Sequence, residues 1–114
     1  MTTFIAPKVT ALTDASTINI DASLGNDFTV TIAGNRTIAA PTNPVSGQSM
    51  TLEITQGSGG NHTLTWATGS NGFSTTALGG DPLLSATAGA LDILAFRYSA
   101  SKQRWVFLGI VAGS

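Results

Sequence analysis

The 114-residue chain has no cysteine, a single histidine, a single glutamate and few charges of either sign. Without cysteine there are no disulfides, thiolate metal sites or cysteine nucleophiles. Only 10% of residues are charged, against about 25% in an average soluble domain. The net charge of −1 offers no basic field for nucleic-acid phosphate, so no nucleic-acid partner is expected. No apolar run approaches the roughly 20 residues that cross a bilayer, and no membrane partner is expected. Met1 to Pro7 has neither the basic start nor the apolar run of a secretory signal, which points to synthesis in a cytoplasm. The length suits one domain, and surface scaling lets it bury about two-thirds of its unfolded surface.

Period-two alternation of apolar residues and threonine fills much of the chain. Phe28, Val30 and Ile32 share one face, with Thr29 and Thr31 opposite; Met50, Leu52 and Ile54 repeat the pattern, then Leu64 and Trp66. Such alternation is that of half-buried strands, and β-branched threonine suits a pleated surface. Val9 with Ala11, and Ile18 with Ile20, are shorter candidates. Residues 91–98 and 105–110 are apolar on both faces, as in strands central to a sandwich or covered by another subunit. Ser99 to Arg104 is a polar hairpin connection between them. Ala33-Gly34-Asn35 and Gly57 to Asn61 supply turn residues able to take positive φ. Residues 67–90 read as one or two short strands and a long loop, their glycines excluding a helix. No repeat of solenoid period is visible.

Strands about every ten residues predict an all-β fold, an antiparallel, jelly-roll-like β-sandwich spanning residues 8–114. Val30, Ile32, Leu52, Ile54, Trp66, Ile93 and Phe107 are expected in its core. Residues 1–7 form an N-terminal arm before the first candidate strand at 8–13. Pro7 lacks an amide donor and biases Ala6 to an extended conformation, so the arm should project without joining the sheet. Phe4 and Ile5 lie side by side in it and are candidate partner-binding residues that would dock on a neighbour; the alternative is a disordered terminus.

No constellation of residues predicts catalysis. His62 lies beside a turn without a Gly-x-Ser-x-Gly elbow, and reads as a hydrogen-bonded rim residue. Asp14, Asp21 and Asp27 are too sparse for a calcium loop and read as turn caps. Glu53 alternates onto a solvent face, with no second carboxyl placed opposite for glycosidase work. Gly57-Ser58-Gly59-Gly60 lacks the Lys-Ser/Thr of a phosphate loop and reads as a hairpin tip. Asn35-Arg36-Thr37 and Asn61-His62-Thr63 match the glycosylation pattern but read as turns. Trp66, Phe73, Tyr98 and Trp105 could form a sugar-binding platform. Trp66 and Trp105 keep phase with aliphatic neighbours and read as core, whereas Tyr98, at a strand end, is a candidate partner-binding residue. No cofactor, metal or enzymatic activity is expected.

The run Phe28 to Ile32, then Gly34-Asn35-Arg36-Thr37-Ile38, Pro41-Thr42-Asn43-Pro44 and Gly47-Gln48, resembles a β module of tailed-bacteriophage virion surface proteins. Arg104-Trp105-Val106 near the C-terminus is similar to it as well, so the likeness spans roughly residues 10–112. The resemblance implies a structural virion protein made in the host cytoplasm, with no catalytic or metal residues to carry over. A free-standing β domain of this kind looks like a capsid decoration, or cement, protein. That implies a homotrimer bound to the major capsid protein at capsomer junctions. The alternative it leaves open is a tail-fibre or receptor-binding domain engaging host glycan.

Overall fold

A computed structural model describes residues 8–75 and 80–114. The described chain is all-β apart from one 3-10 turn, Ala22–Leu24. Among the described residues nine strands form two sheets: β1 (Val9–Ala11), β2 (Thr17–Ile18), β3 (Asp27–Ile32), β4 (Arg36–Ile38), β5 (Ser49–Gln56), β6 (Leu64–Trp66), β7 (Gly72–Ser74), β8 (Leu91–Ser99) and β9 (Arg104–Val111). The larger sheet runs β1-β3-β5-β8-β9-β7 and the smaller β2-β4-β6.

The first six strands alternate between the two sheets. Each therefore lies parallel to the strand two before it, and the chain makes three successive windings. β8 and β9 then form an antiparallel hairpin against β5. β7 joins the far edge parallel to β9. The expected all-β class holds. The antiparallel, jelly-roll-like pairing does not describe these ladders, five of which are parallel and two antiparallel. The reason lies at the turns. Ala33-Gly34-Asn35 and Gly57 to Asn61 do not close hairpins; they are corners carrying the chain from one sheet to the other.

Both sheets contribute to one core. Phe28, Val30 and Ile32 of β3 and Met50, Leu52 and Ile54 of β5 meet Ile18, Ile38 and Trp66 of the smaller sheet. Trp66 reaches Phe96 of β8 across the core, ring centroids 5.5 Å apart, and packs edge-on against Phe73 at 4.9 Å. Of the expected core residues only Ile93 lies outside it. The β5–β8 register sets Leu94 opposite Leu52 and Ile93 opposite Glu53. Since Glu53 faces outward, so does Ile93, and Asp92, Leu94, Phe96 and Tyr98 point inward. Opposite the ladder step from Ala95 to Phe96, Leu108 is an extra residue in β9. This bulge turns Leu108 outward, 56% exposed, while Trp105 and Phe107 before it stay buried.

Candidate functional site

Two stacked corners hold the windings together, and they contain most of the chain's distinctive polar residues. At the first, Asp14 of winding one accepts two hydrogen bonds from Arg36 of winding two, Nε at 2.7 Å and Nη2 at 3.0 Å. The same carboxylate accepts from the Ala33 amide at 3.1 Å. Winding two is tied to winding three by Asn35 Oδ1, which accepts from the Thr63 amide, and by Arg36 N–H donating to the Thr63 carbonyl. Gly34 does not take a positive φ. The Arg36 guanidinium covers it, so a Cβ there would lie 2.7 Å from Nη1 and the arginine would have to shift. Gly57 is held more tightly still, since a Cβ there would lie 2.3 Å from the Ile32 carbonyl oxygen.

The second corner repeats the arrangement. Asp21 caps the 3-10 turn by accepting from the Ser23 amide and hydroxyl, and accepts from Asn43 Nδ2 of the next winding. Gln48 Nε2 donates to the Ala22 and Gly25 carbonyls at 2.8 and 3.1 Å, and its Oε1 accepts from the Val45 amide. Hydrogen bonding to the charged form holds both Asp14, chiefly through Arg36, and Asp21, chiefly through Asn43 and Ser23, below the ordinary carboxyl value of 3.8. The Gly-Asn-Arg-Thr, Pro-Thr-Asn-Pro and Gly-Gln segments thus supply cross-winding ties.

The other singled-out residues are equally placed by structure. The His62 ring Nε2 lies 2.9 Å from the Ser58 carbonyl, and its main chain pairs both ways with the buried Gln56 amide. Among the described residues no three His, Cys, Asp or Glu side chains converge at metal distance. Among the described residues no helix is long and apolar enough to cross a membrane. Trp66, Phe73 and Trp105 are buried, as expected for the two tryptophans. Tyr98 is also buried, 6% exposed, its ring tilted against Trp105 with centroids 5.2 Å apart and its hydroxyl donating to Asn71 Oδ1. Its place at a strand end suggested access, whereas β8 points it into the core. Phe4 and Ile5 lie outside the described residues.

Two features escaped the sequence reading. One is Asp92, buried on the inner face of β8 and accepting from the Ser85 amide, the Ser85 hydroxyl and the Gly113 amide at 2.6–2.8 Å. The other is a pocket of about 330 Å³ at the open end of winding one, between β1 and β2, with Ile20, Leu24 and Phe28 among its walls. No protein-family model matches the chain, and searches of curated proteins and of solved structures return no match.

Proposed function

We propose that the protein is a non-catalytic structural component of a phage virion surface. In this reading it is a capsid decoration protein that sits as a homotrimer at capsomer junctions, contacts the major capsid protein and clamps the shell. Its body is a sandwich of two sheets over one core, stiffened by the corner ties.

The observation that carries the reading is the outer face of the larger sheet. Ile93, Ala95, Gly109 and Val111 form an uncharged strip across β8 and β9, with Leu108 at the bulge beside it. Val111 is 61% exposed. This partly exposed apolar strip, bordered on the same face by Glu53 and Arg97, suits repeated contact with a lattice, where weak contacts add through avidity. The glycan-binding alternative is less favoured, because Trp66, Phe73, Tyr98 and Trp105 are all turned inward.

Purified protein added to undecorated phage shells tests the proposal. Micrographs should show density over the whole shell, and decorated shells should release their contents at a higher temperature. Density confined to the tail, or none, overturns it.

A further inference from the structure

Six asparagines occur in the chain, and Asn71 is the one that a glycine follows. That pair is chemically weak. The Gly72 nitrogen has no flanking side chain to shield it, so it can attack the Asn71 side-chain carbonyl carbon and close a five-membered ring. The fold nevertheless needs both residues. Asn71 takes a left-handed φ of 60°, which asparagine tolerates, at the third position of the turn that enters β7. A Cβ on Gly72 would lie 2.6 Å from the Ala67 carbonyl oxygen and 2.8 Å from the Thr68 carbonyl carbon, so no larger residue fits. In the folded chain three hydrogen bonds hold the pair apart. The Gly72 amide donates to the Gly69 carbonyl at 3.0 Å, which turns it away from the Asn71 side chain. The Asn71 amide donates to the Gln103 carbonyl at 2.8 Å and fixes the turn to the β8–β9 connection. Asn71 Oδ1 accepts from the hydroxyl of Tyr98, whose ring is buried against Trp105. Ring closure requires Gly72 N and Asn71 Cγ to rotate towards each other, which breaks the Gly69 bond and the Tyr98 bond alike.

We propose that Asn71–Gly72 is a self-modification site, that Tyr98 is the positioning residue that holds it unreactive, and that its conversion releases β7. When the turn lifts, the Gly72 nitrogen loses its proton to base and bonds to Asn71 Cγ. The Cγ–Nδ2 bond breaks, and ammonia leaves with a proton from water. Water then opens the succinimide ring. Attack at Cγ gives aspartate, and attack at the main-chain carbonyl gives isoaspartate. One water is consumed, one ammonia is released, and nothing is oxidised. Isoaspartate carries the main chain through Cβ and Cγ, which inserts one carbon before Gly72. Gly72 already abuts Ala67 and Thr68, and the parallel ladder sets it opposite Arg104 of β9. The longer link cannot keep both fits. β7 comes away and uncovers Phe73, which is 3% exposed and packed on Trp66 in the unmodified chain.

The inference rests on the fold alone and does not depend on the virion reading. Its test follows conversion at mildly alkaline pH by intact mass and peptide mapping, with the full-length protein both folded and in concentrated urea. In urea Asn71 should convert before the other asparagines, because it alone precedes glycine. The folded protein should convert at least about tenfold more slowly, as expected of a reaction that waits on local opening. Tyr98→Phe keeps the buried ring and removes one hydrogen bond. It should speed the folded reaction about two- to tenfold and leave the rate in urea unchanged. Chymotrypsin should cut after Phe73 in the isoaspartate form and spare the fresh protein. Equal rates in the folded protein and in urea overturn the proposal, as does a Tyr98→Phe rate equal to or below that of the unsubstituted chain. It also fails if another asparagine converts first in urea, or if the isoaspartate form keeps Phe73 protected.

Discussion

At the scale of single residues, Asp92 shows how a buried charge is held. Its three donors come from the loop before β8 and from the last residues of the chain, so one carboxylate fastens two segments to the sheet. Asp92→Ala leaves the Ser85 and Gly113 amides without their acceptor and should cost about 1–3 kcal/mol in urea unfolding. A loss below about 0.5 kcal/mol would show that water replaces the carboxylate. Asp14 and Asp21 act at the corners and make stability depend on pH. Both have folded values below 3.8. Their contribution is therefore complete above about pH 4 and is lost as pH falls through the lowered values. Melting temperature should hold from neutral pH to about pH 5 and fall below pH 4, and Asp14→Asn should make that fall shallower. Asp92 could not be placed from sequence, since residues 91–98 are apolar on both faces and either phase buries a good set. The cross-strand neighbours decide it: with Leu52 inside, Leu94 and Asp92 follow. The same phase buries Tyr98, which its position at a strand end concealed.

At the scale of elements, the strands were legible and the corners were not. β3, β5, β8 and β9 appear within one or two residues of their expected bounds, because alternation and turn residues mark them directly. β4 was not anticipated as a strand; it has three residues and begins straight after a turn. The pairing was hidden for a different reason. Parallel strands are usually buried on both faces, whereas β3 and β5 alternate and so look antiparallel. Glycine and asparagine serve hairpins and inter-sheet corners alike. The two uses separate on substitution. Gly57→Ala forces a Cβ against the Ile32 carbonyl and should destabilise by about 2–3 kcal/mol. Gly109→Ala, in β9 with nothing within 4 Å of the new Cβ and no positive φ, should be neutral or stabilise by up to about 1 kcal/mol. Equal effects in thermal unfolding would refute the corner assignment.

At the scale of the whole molecule, the windings are of unequal length. Partners along the larger sheet, Val9, Asp27 and Thr51, are 18 and then 24 residues apart. Along the smaller sheet, Thr17 and Thr37 are 20 apart, and Arg36 and Leu64 are 28 apart. No fixed period exists for a sequence search to find, although the strands stack in register. Most of the surplus residues leave at the corners, which makes the protein a natural carrier for foreign sequence. Gly59, at φ +91°, has open space where a side chain would stand, and neighbouring Gly60 is instead packed on the Ala86 carbonyl. A ten-residue glycine-serine epitope spliced between Ser58 and Gly59 lengthens that corner by somewhat more than one doubling, a closure cost of about 1 kcal/mol. The fusion should keep its β spectrum, melt less than about 8 °C lower and present the epitope to antibody in the native state. The same splice between Gly60 and Asn61, where the Asn61 amide donates to Ala86, should melt well below it. Through such joints the fold can take on new surface function while its strands stay where they are.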